Sequence, residues 1–213
     1  MFSAASVLAL GFLLGMRHAL DPDHVVAVST IVSEQRSLTR ASRVGALWGI
    51  GHTSTILLLG GAILLLRLTI PPRLGLAMEF VVAVMLVVLG VRNLRRERPD
   101  APAPSAVRPL AVGFVHGLAG SAFVAMLVLT EIRDPMLGLL YLLVFGLGTI
   151  GGMTMVTAAI ALPTSYAVAR MGSVQRHLRL ASGVASVAFG LFLAHQIGVV
   201  DGLFSANPQW DPK

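Results

Sequence analysis

Between residues 18 and 24 the chain reads His18-Ala-Leu-Asp21-Pro22-Asp23-His24, two imidazoles and two carboxylates inside an otherwise apolar run from Met1 to about Val32. Imidazole nitrogen and carboxylate oxygen together make a good ligand set for a divalent transition metal. The apolar setting sharpens that reading. An ionisable group at bilayer depth costs roughly 2.5 to 3.5 kcal/mol on insertion scales, so a cluster of them demands a compensating partner, and an ion held between them is one. The bland alternative is a structural polar knot, in which Asp21 caps a half-helix and the histidines pair with the carboxylates. A cap by itself, however, requires neither His18 nor His24.

In an unbroken helix His18, Asp21 and His24 drift over about 120° of the circumference, and Asp23 points about 140° away from His18. The four groups converge only if the helix is interrupted. Pro22 supplies an interruption: it breaks the preceding hydrogen-bond ladder, disfavours helical geometry at Asp21 and suits the first position of a new helix capped by Asp21. Length argues the same way, because Met1 to Glu34 contains no loop and one helix over that stretch would run to roughly 50 Å against a hydrocarbon core of ~30 Å. A break at Asp21-Pro22 puts the motif at a helix junction near mid-membrane.

Other side chains are candidates for the same site. His52 is flanked by Gly51, Thr53 and Ser54; small neighbours permit close helix approach, and hydroxyls can orient an imidazole, so His52 is read as a ligand with Thr53 and Ser54 behind it. His116, in the segment HGLAGS, is the deeply placed imidazole of the second half and is read as part of the ion's path. Thr149 and Met153 lie in GTIGGMT; a thioether is a soft ligand, although methionine is more often packing filler. Arg17 is expected to pair with Asp21 or Asp23. Glu79, near a helix end, either attracts a cation or is simply hydrated, and His177 and His195 read as surface residues.

The elements that position these groups follow from composition. The chain has 213 residues, 55% hydrophobic and 12% charged, with mean hydropathy +0.82, whereas a soluble domain carries about 25% charged residues. Six apolar stretches of spanning length run over about 5–31, 44–66, 74–93, 110–130, 136–160 and 180–199. The first has no basic n-region and no small-residue cleavage site after it, so it reads as a span and not a removable signal. The expected fold is an all-α integral membrane protein of six transmembrane helices, with no soluble domain.

A net charge of +6 raises nucleic acid as a partner, but the basic residues are distributed by loop. Arg36, Arg40, Arg43, Arg92, Arg95, Arg96, Arg98, Arg108, Arg170, Arg176 and Arg179 follow spans one, three and five; Arg67, Arg73, Arg133 and Lys213 lie on the other side. The positive-inside rule makes the richer side cytoplasmic and sends both termini outward. With no cysteine, disulfides, thiolate ligands and dithiol relays are excluded.

A Pro-rich charged connector, 94–109, divides the chain into residues 1–93 and 110–213. The halves resemble each other. Gly11-Phe12-x-x-Gly15 recurs 102 residues later as Gly113-Phe114-x-x-Gly117, Gly49-x-Gly51 recurs at 97 as Gly146-x-Gly148, and Gly90 corresponds to Gly190 at 100. Two three-helix repeats would be inverted in the membrane, with substrate held between them where a helix is broken.

At these residues a family resemblance becomes specific. RHALDPDHVVAVS resembles the HxxxxDH signature of the nickel/cobalt transporter (NiCoT) superfamily, read here as His18, Asp23 and His24, and LWGIGHTSTILLLG, residues 47 to 60, resembles its second signature. Six spans and GFVHGLAGSAF from Gly113 look closest to the short urease-accessory, UreH-like branch. The resemblance implies movement of Ni²⁺ or Co²⁺ as transported substrate, with no tightly bound cofactor, and gives essential roles to His18, Asp23, His24 and His52. The longer transporters' acidic segment has no counterpart around His116, which offers His and Ser but no carboxylate.

The sequence therefore points to secondary transport of Ni²⁺, with Co²⁺ second, across the cytoplasmic membrane, and not to an enzyme. Uptake fits the membrane potential, worth about 2.3 kcal/mol per charge per 100 mV; export would need another driver. No GxxxxGK[ST] loop is present for nucleotide hydrolysis. The competing classes are a membrane accessory protein that passes nickel to a urease-type enzyme, and an intramembrane hydrolase using Ser121 with His52 or His116, which lacks an HExxH pattern and any sign of an oxyanion hole. Implied partners are the bilayer, a divalent ion, metalloenzyme maturation proteins and a second copy of the chain, with no nucleic acid. Because metal ligands must be deprotonated to bind, uptake is expected to fall as pH drops from 8 to 5; a flat rate over that range removes histidine and aspartate from the binding step.

Overall fold

The computed structural model describes residues 3–33, 37–95, 106–118, 132, 134–170 and 174–210, with the side chains of 167–170 and 174 left aside. Its regular structure is helical throughout: α1 (Ala4–His18), α2 (Pro22–Val32), α3 (Leu38–Leu66), α4 (Pro72–Arg95), α5 (Val107–His116), α6 (Pro135–Arg170) and α7 (Val174–His195), the last continuing into a π-helical turn, Gln196–Val200. Among the described residues four stretches are long and apolar enough to cross a membrane, Leu38–Leu66, Pro72–Arg95, Pro135–Tyr166 and Gln175–Val200, and α1 with α2 passes the same test as one bent pair. The span expected over 110–130 and the connector 94–109 lie largely outside the described residues. Helices outrun the predicted spans where polar residues continue the helical pattern. Thus α3 begins at Leu38 and carries the exposed Arg40 and Arg43, and α6 passes through Pro163. Hydropathy marks the depth of lipid and not the end of a helix.

The break expected at Asp21-Pro22 is present, with a 55° bend between α1 and α2. Asp21 N–H and Leu20 N–H close the end of α1 on the carbonyls of His18 and Arg17, at 3.1 and 2.9 Å, and Pro22 opens α2. One detail differs from expectation. Asp21 occupies the N-cap position, with Val25 N–H on its carbonyl at 3.0 Å, but its side chain makes no capping bond; the carboxylate turns back to His18 instead.

Glycines let these helices approach. A Cβ on Gly15 of α1 would strike the Phe145 carbonyl of α6, and one on Gly113 of α5 would strike the Trp48 carbonyl of α3. Gly51 abuts the Leu110 carbonyl, and Gly148 the Phe12 carbonyl. In the α4–α7 pair Gly90 meets Val187 while Gly190 meets Val87, and Ser186 Oγ donates to the Leu86 carbonyl at 2.8 Å. These contacts recur between the two halves of the chain at separations of 97 to 100 residues: Gly51/Gly148, Gly15/Gly113, Phe12/Leu110 and Gly90/Gly190. The Gly-Phe-x-x-Gly match at 102 is one helical turn away from that register. Both first helices carry glycines four apart, so sequence alone offers two alignments and only the contacts choose between them.

Alanine at a helix position is ordinarily better than glycine by about 0.5–1 kcal/mol. Gly15→Ala and Gly113→Ala are nonetheless expected to destabilise the purified protein by about 1–3 kcal/mol, because the helix pair must move apart. Gly151→Ala, where a Cβ meets nothing within 4 Å, is the control and should melt at or above wild type. Equal melting temperatures for all three would refute the close backbone approach.

Candidate metal centre

Four buried imidazoles meet at the junction of α1 and α2: His18 closes α1, His24 lies in the first turn of α2, His52 sits midway along α3 and His116 closes α5. Each helix is held against its neighbour by the glycines beside the imidazole, Gly15 before His18 and Gly113 before His116, both by three residues. His18 Nε2 lies 2.9 Å from His52 Nε2, while His18 Nδ1 lies 2.8 Å from Asp21 Oδ2. His24 is held in a parallel way. Its Nδ1 lies 3.1 Å from Asp23 Oδ1, which also accepts the His24 backbone N–H at 3.0 Å. The other oxygen of that carboxylate, Oδ2, lies 2.9 Å from His116 Nε2.

Two sets of donors result. One nitrogen from each of His18, His24 and His52 falls within 4.8 Å of the others, and so do donor atoms of Asp23, His24 and His116. Two nitrogens that share an ion at 2.0–2.1 Å stand about 3 Å apart, so the 2.9 Å between His18 and His52 suits a shared ion as well as a shared proton. His24 Nε2, His52 Nδ1 and His116 Nδ1 are buried and have no hydrogen-bond partner. An unpaired polar atom at such depth is costly unless something binds it.

The expected site residues divide clearly. His18, Asp21, Asp23, His24, His52 and His116 come together. Arg17 does not: it is exposed where the adjacent His18 is buried, and it forms no ion pair with Asp21 or Asp23, whose carboxylates are engaged by imidazoles. One residue step rotates a side chain by about 100°, which carries Arg17 away from the site. Thr53 and Ser54 do not orient His52. Thr53 Oγ1 donates to the Gly146 carbonyl at 3.2 Å, a bond that ties α3 to α6, and Ser54 Oγ donates to the Ile50 carbonyl at 2.8 Å. Thr149 Oγ1 donates to the Phe145 carbonyl one turn back, and Met153 packs in the core with Ala19, Val28, Trp48 and Leu86. Glu79 accepts the Trp210 indole N–H at 2.9 Å, while His177 and His195 are exposed. Ser121 lies outside the described residues.

Two aromatic rings that the sequence did not single out wall the site. Trp48 lies beside His24 and edge-on to His116, with centroids 5.5 and 5.4 Å away, and Phe145 lies 5.6 Å from His18. Trp48 precedes His52 by four residues and so shares its helix face, a signal that was legible; nothing in sequence places Phe145.

The chain is 36% identical to the urease accessory protein UreH of Bacillus sp. (strain TB-90), over 93% of its own length and 95% of that protein's. It belongs to the UreH family. It is also 27% and 26% identical to the chloroplast proteins FOR GROWTH AND FERTILITY 2 and 1 of Arabidopsis thaliana, over 85% of its length in each case. The chain spans about half the length of those two, 54% and 56%. No family model matches the sequence, and no solved structure matches it.

The geometry separates the histidines of this UreH relative into two groups. His18→Ala and His52→Ala are expected to weaken equilibrium binding of Ni²⁺ to the purified protein at least tenfold, in the range seen when a metal site loses part of its support, while His195→Ala leaves it unchanged. Calorimetry that finds the three variants equal would dismiss the buried cluster as the binding site.

Proposed function

We propose that the chain is a secondary transporter that carries a divalent transition metal, Ni²⁺ first and Co²⁺ second, inward across the cytoplasmic membrane. The observation that carries this reading is the set of three buried imidazoles, His18, His24 and His52, with donor atoms within 4.8 Å of one another at the break between two half-helices. His18 and His24 each give Nδ1 to a neighbouring carboxylate. Carboxylate anchors of this kind fix the ring and leave Nε2 for the ion. On this reading Asp21 and Asp23 act at the first position by holding imidazoles rather than as direct ligands, which revises the simplest expectation from the motif.

Imidazole donors favour later first-row metals over Mg²⁺ and Ca²⁺, which prefer oxygen shells. The choice of nickel over its neighbours rests on the HxxxxDH signature of the nickel/cobalt transporters and on the UreH relationship. The glycine contacts that recur at 97 to 100 residues support two inverted three-helix repeats with the ion between them. The arginine distribution supports a cytoplasmic connector and outward termini.

The name of the bacterial relative, a urease accessory protein, favours a second reading, in which the protein binds nickel at the membrane and passes it to a maturing metalloenzyme without net transport. Sealed vesicles containing only this protein separate the two. Radiolabelled Ni²⁺ should accumulate against a negative interior potential, compete with Co²⁺ more strongly than with Mn²⁺, and fall to background in His18→Ala. Saturable binding without accumulation would favour the accessory role, and no binding at all would end both. Asp21→Ala should weaken nickel affinity by about 10- to 100-fold through loss of the His18 anchor; an unchanged affinity would remove that carboxylate from the mechanism.

A further inference from the structure

We infer that the junction holds a second ion position, formed by Asp23, His24 and His116, and that it shares His24 with the first so that only one of the two is filled at a time. The inference rests on the metal-binding reading of His18, His24 and His52. It adds to that reading a direct role for His116 and a place for the ion to go next.

The donor spacing fits. Asp23 Oδ1 stands 3.1 Å from His24 Nδ1 and Asp23 Oδ2 stands 2.9 Å from His116 Nε2, close to the ~3 Å edge between ligands of one ion. His24 and His116 are fully buried, and Asp23 is mostly so. His116 Nδ1 makes no hydrogen bond, so no second partner locks its ring in the manner that Asp21 and His52 lock His18. His116 also stands on α5 as His18 stands on α1: each is the last residue of its helix and follows by three the glycine that meets a backbone carbonyl of the crossing helix. The second position is thus built on the counterpart of the first position's own ligand.

Exclusivity follows from the chemistry of His24. A neutral imidazole has one lone pair and one N–H. When Nε2 holds an ion beside His18 and His52, Nδ1 carries the hydrogen and donates to Asp23; when Nδ1 holds an ion beside Asp23 and His116, Nε2 carries it. One ring therefore serves both positions in turn, and an ion passes from three nitrogen donors to a set that includes a carboxylate without leaving the junction.

The full chain in detergent or nanodiscs, titrated with Ni²⁺ and Co²⁺, tests this. Wild type should bind one ion per chain. His52→Ala should weaken binding by about 10- to 100-fold without abolishing it, and adding His116→Ala should remove what remains. Because the protein has no cysteine, His116→Cys provides a direct report: in the His52→Ala background Co²⁺ should raise a thiolate-to-metal charge-transfer band, which a residue that merely props Asp23 would not give. Circular dichroism and gel filtration check folding, and if the His52→Ala double variants fail them, His116→Cys combined with His18→Ala, which also disables the first position, carries the same reading. Two ions per wild-type chain would overturn the exclusive sharing of His24, and complete loss of binding in folded His52→Ala or no charge-transfer band would each overturn the second position. Wild type that binds nothing would overturn the first position as well, which distinguishes the two failures.

Discussion

Imidazoles and carboxylates placed deep in an apolar helical protein must satisfy one another, because no water is at hand to do so. At the α1–α2 junction this requirement links five largely buried side chains with the half-exposed Asp21. His18 bridges Asp21 and His52, and Asp23 bridges His24 and His116. Within each chain every contact relies on another, since an imidazole held at one nitrogen presents the other in a fixed direction. Three buried nitrogens, His24 Nε2, His52 Nδ1 and His116 Nδ1, are left without a hydrogen-bond partner.

Such a cluster can exist only if four helices come unusually close. Glycines at 15, 51, 113 and 148 place backbone against backbone, and the bend at Pro22 turns the end of one half-helix toward the start of the next. Van der Waals packing between small residues is the principal attraction open to helices in lipid, where apolar burial no longer favours association. The same contacts that stabilise the helix pairs therefore set the distances in the site.

The relatives match the chain to different extents. A urease accessory protein matches the chain nearly end to end, and the two chloroplast proteins contain a similar stretch within longer chains. Their names differ, a urease accessory protein on one side and chloroplast proteins for growth and fertility on the other.

Much of the site was legible in the sequence. Polar residues in an apolar run, proline as a helix breaker and small residues around His52 each follow from local chemistry, and they correctly marked His18, Asp21, Asp23, His24, His52 and His116 as one neighbourhood and Pro22 as the bend. The sequence could not decide who touches whom. Asp21 abandons the cap for His18; Arg17 points away; Thr53 serves the helix contact to Gly146 and not the imidazole; and Trp48 and Phe145 form the walls. His52 reaches His18 across 34 positions and His116 reaches Asp23 across 93, pairings fixed by the crossing of helices. Composition and local propensity act over a few residues, whereas helix crossings are set by glycine contacts between distant segments, and those the tertiary structure alone decides.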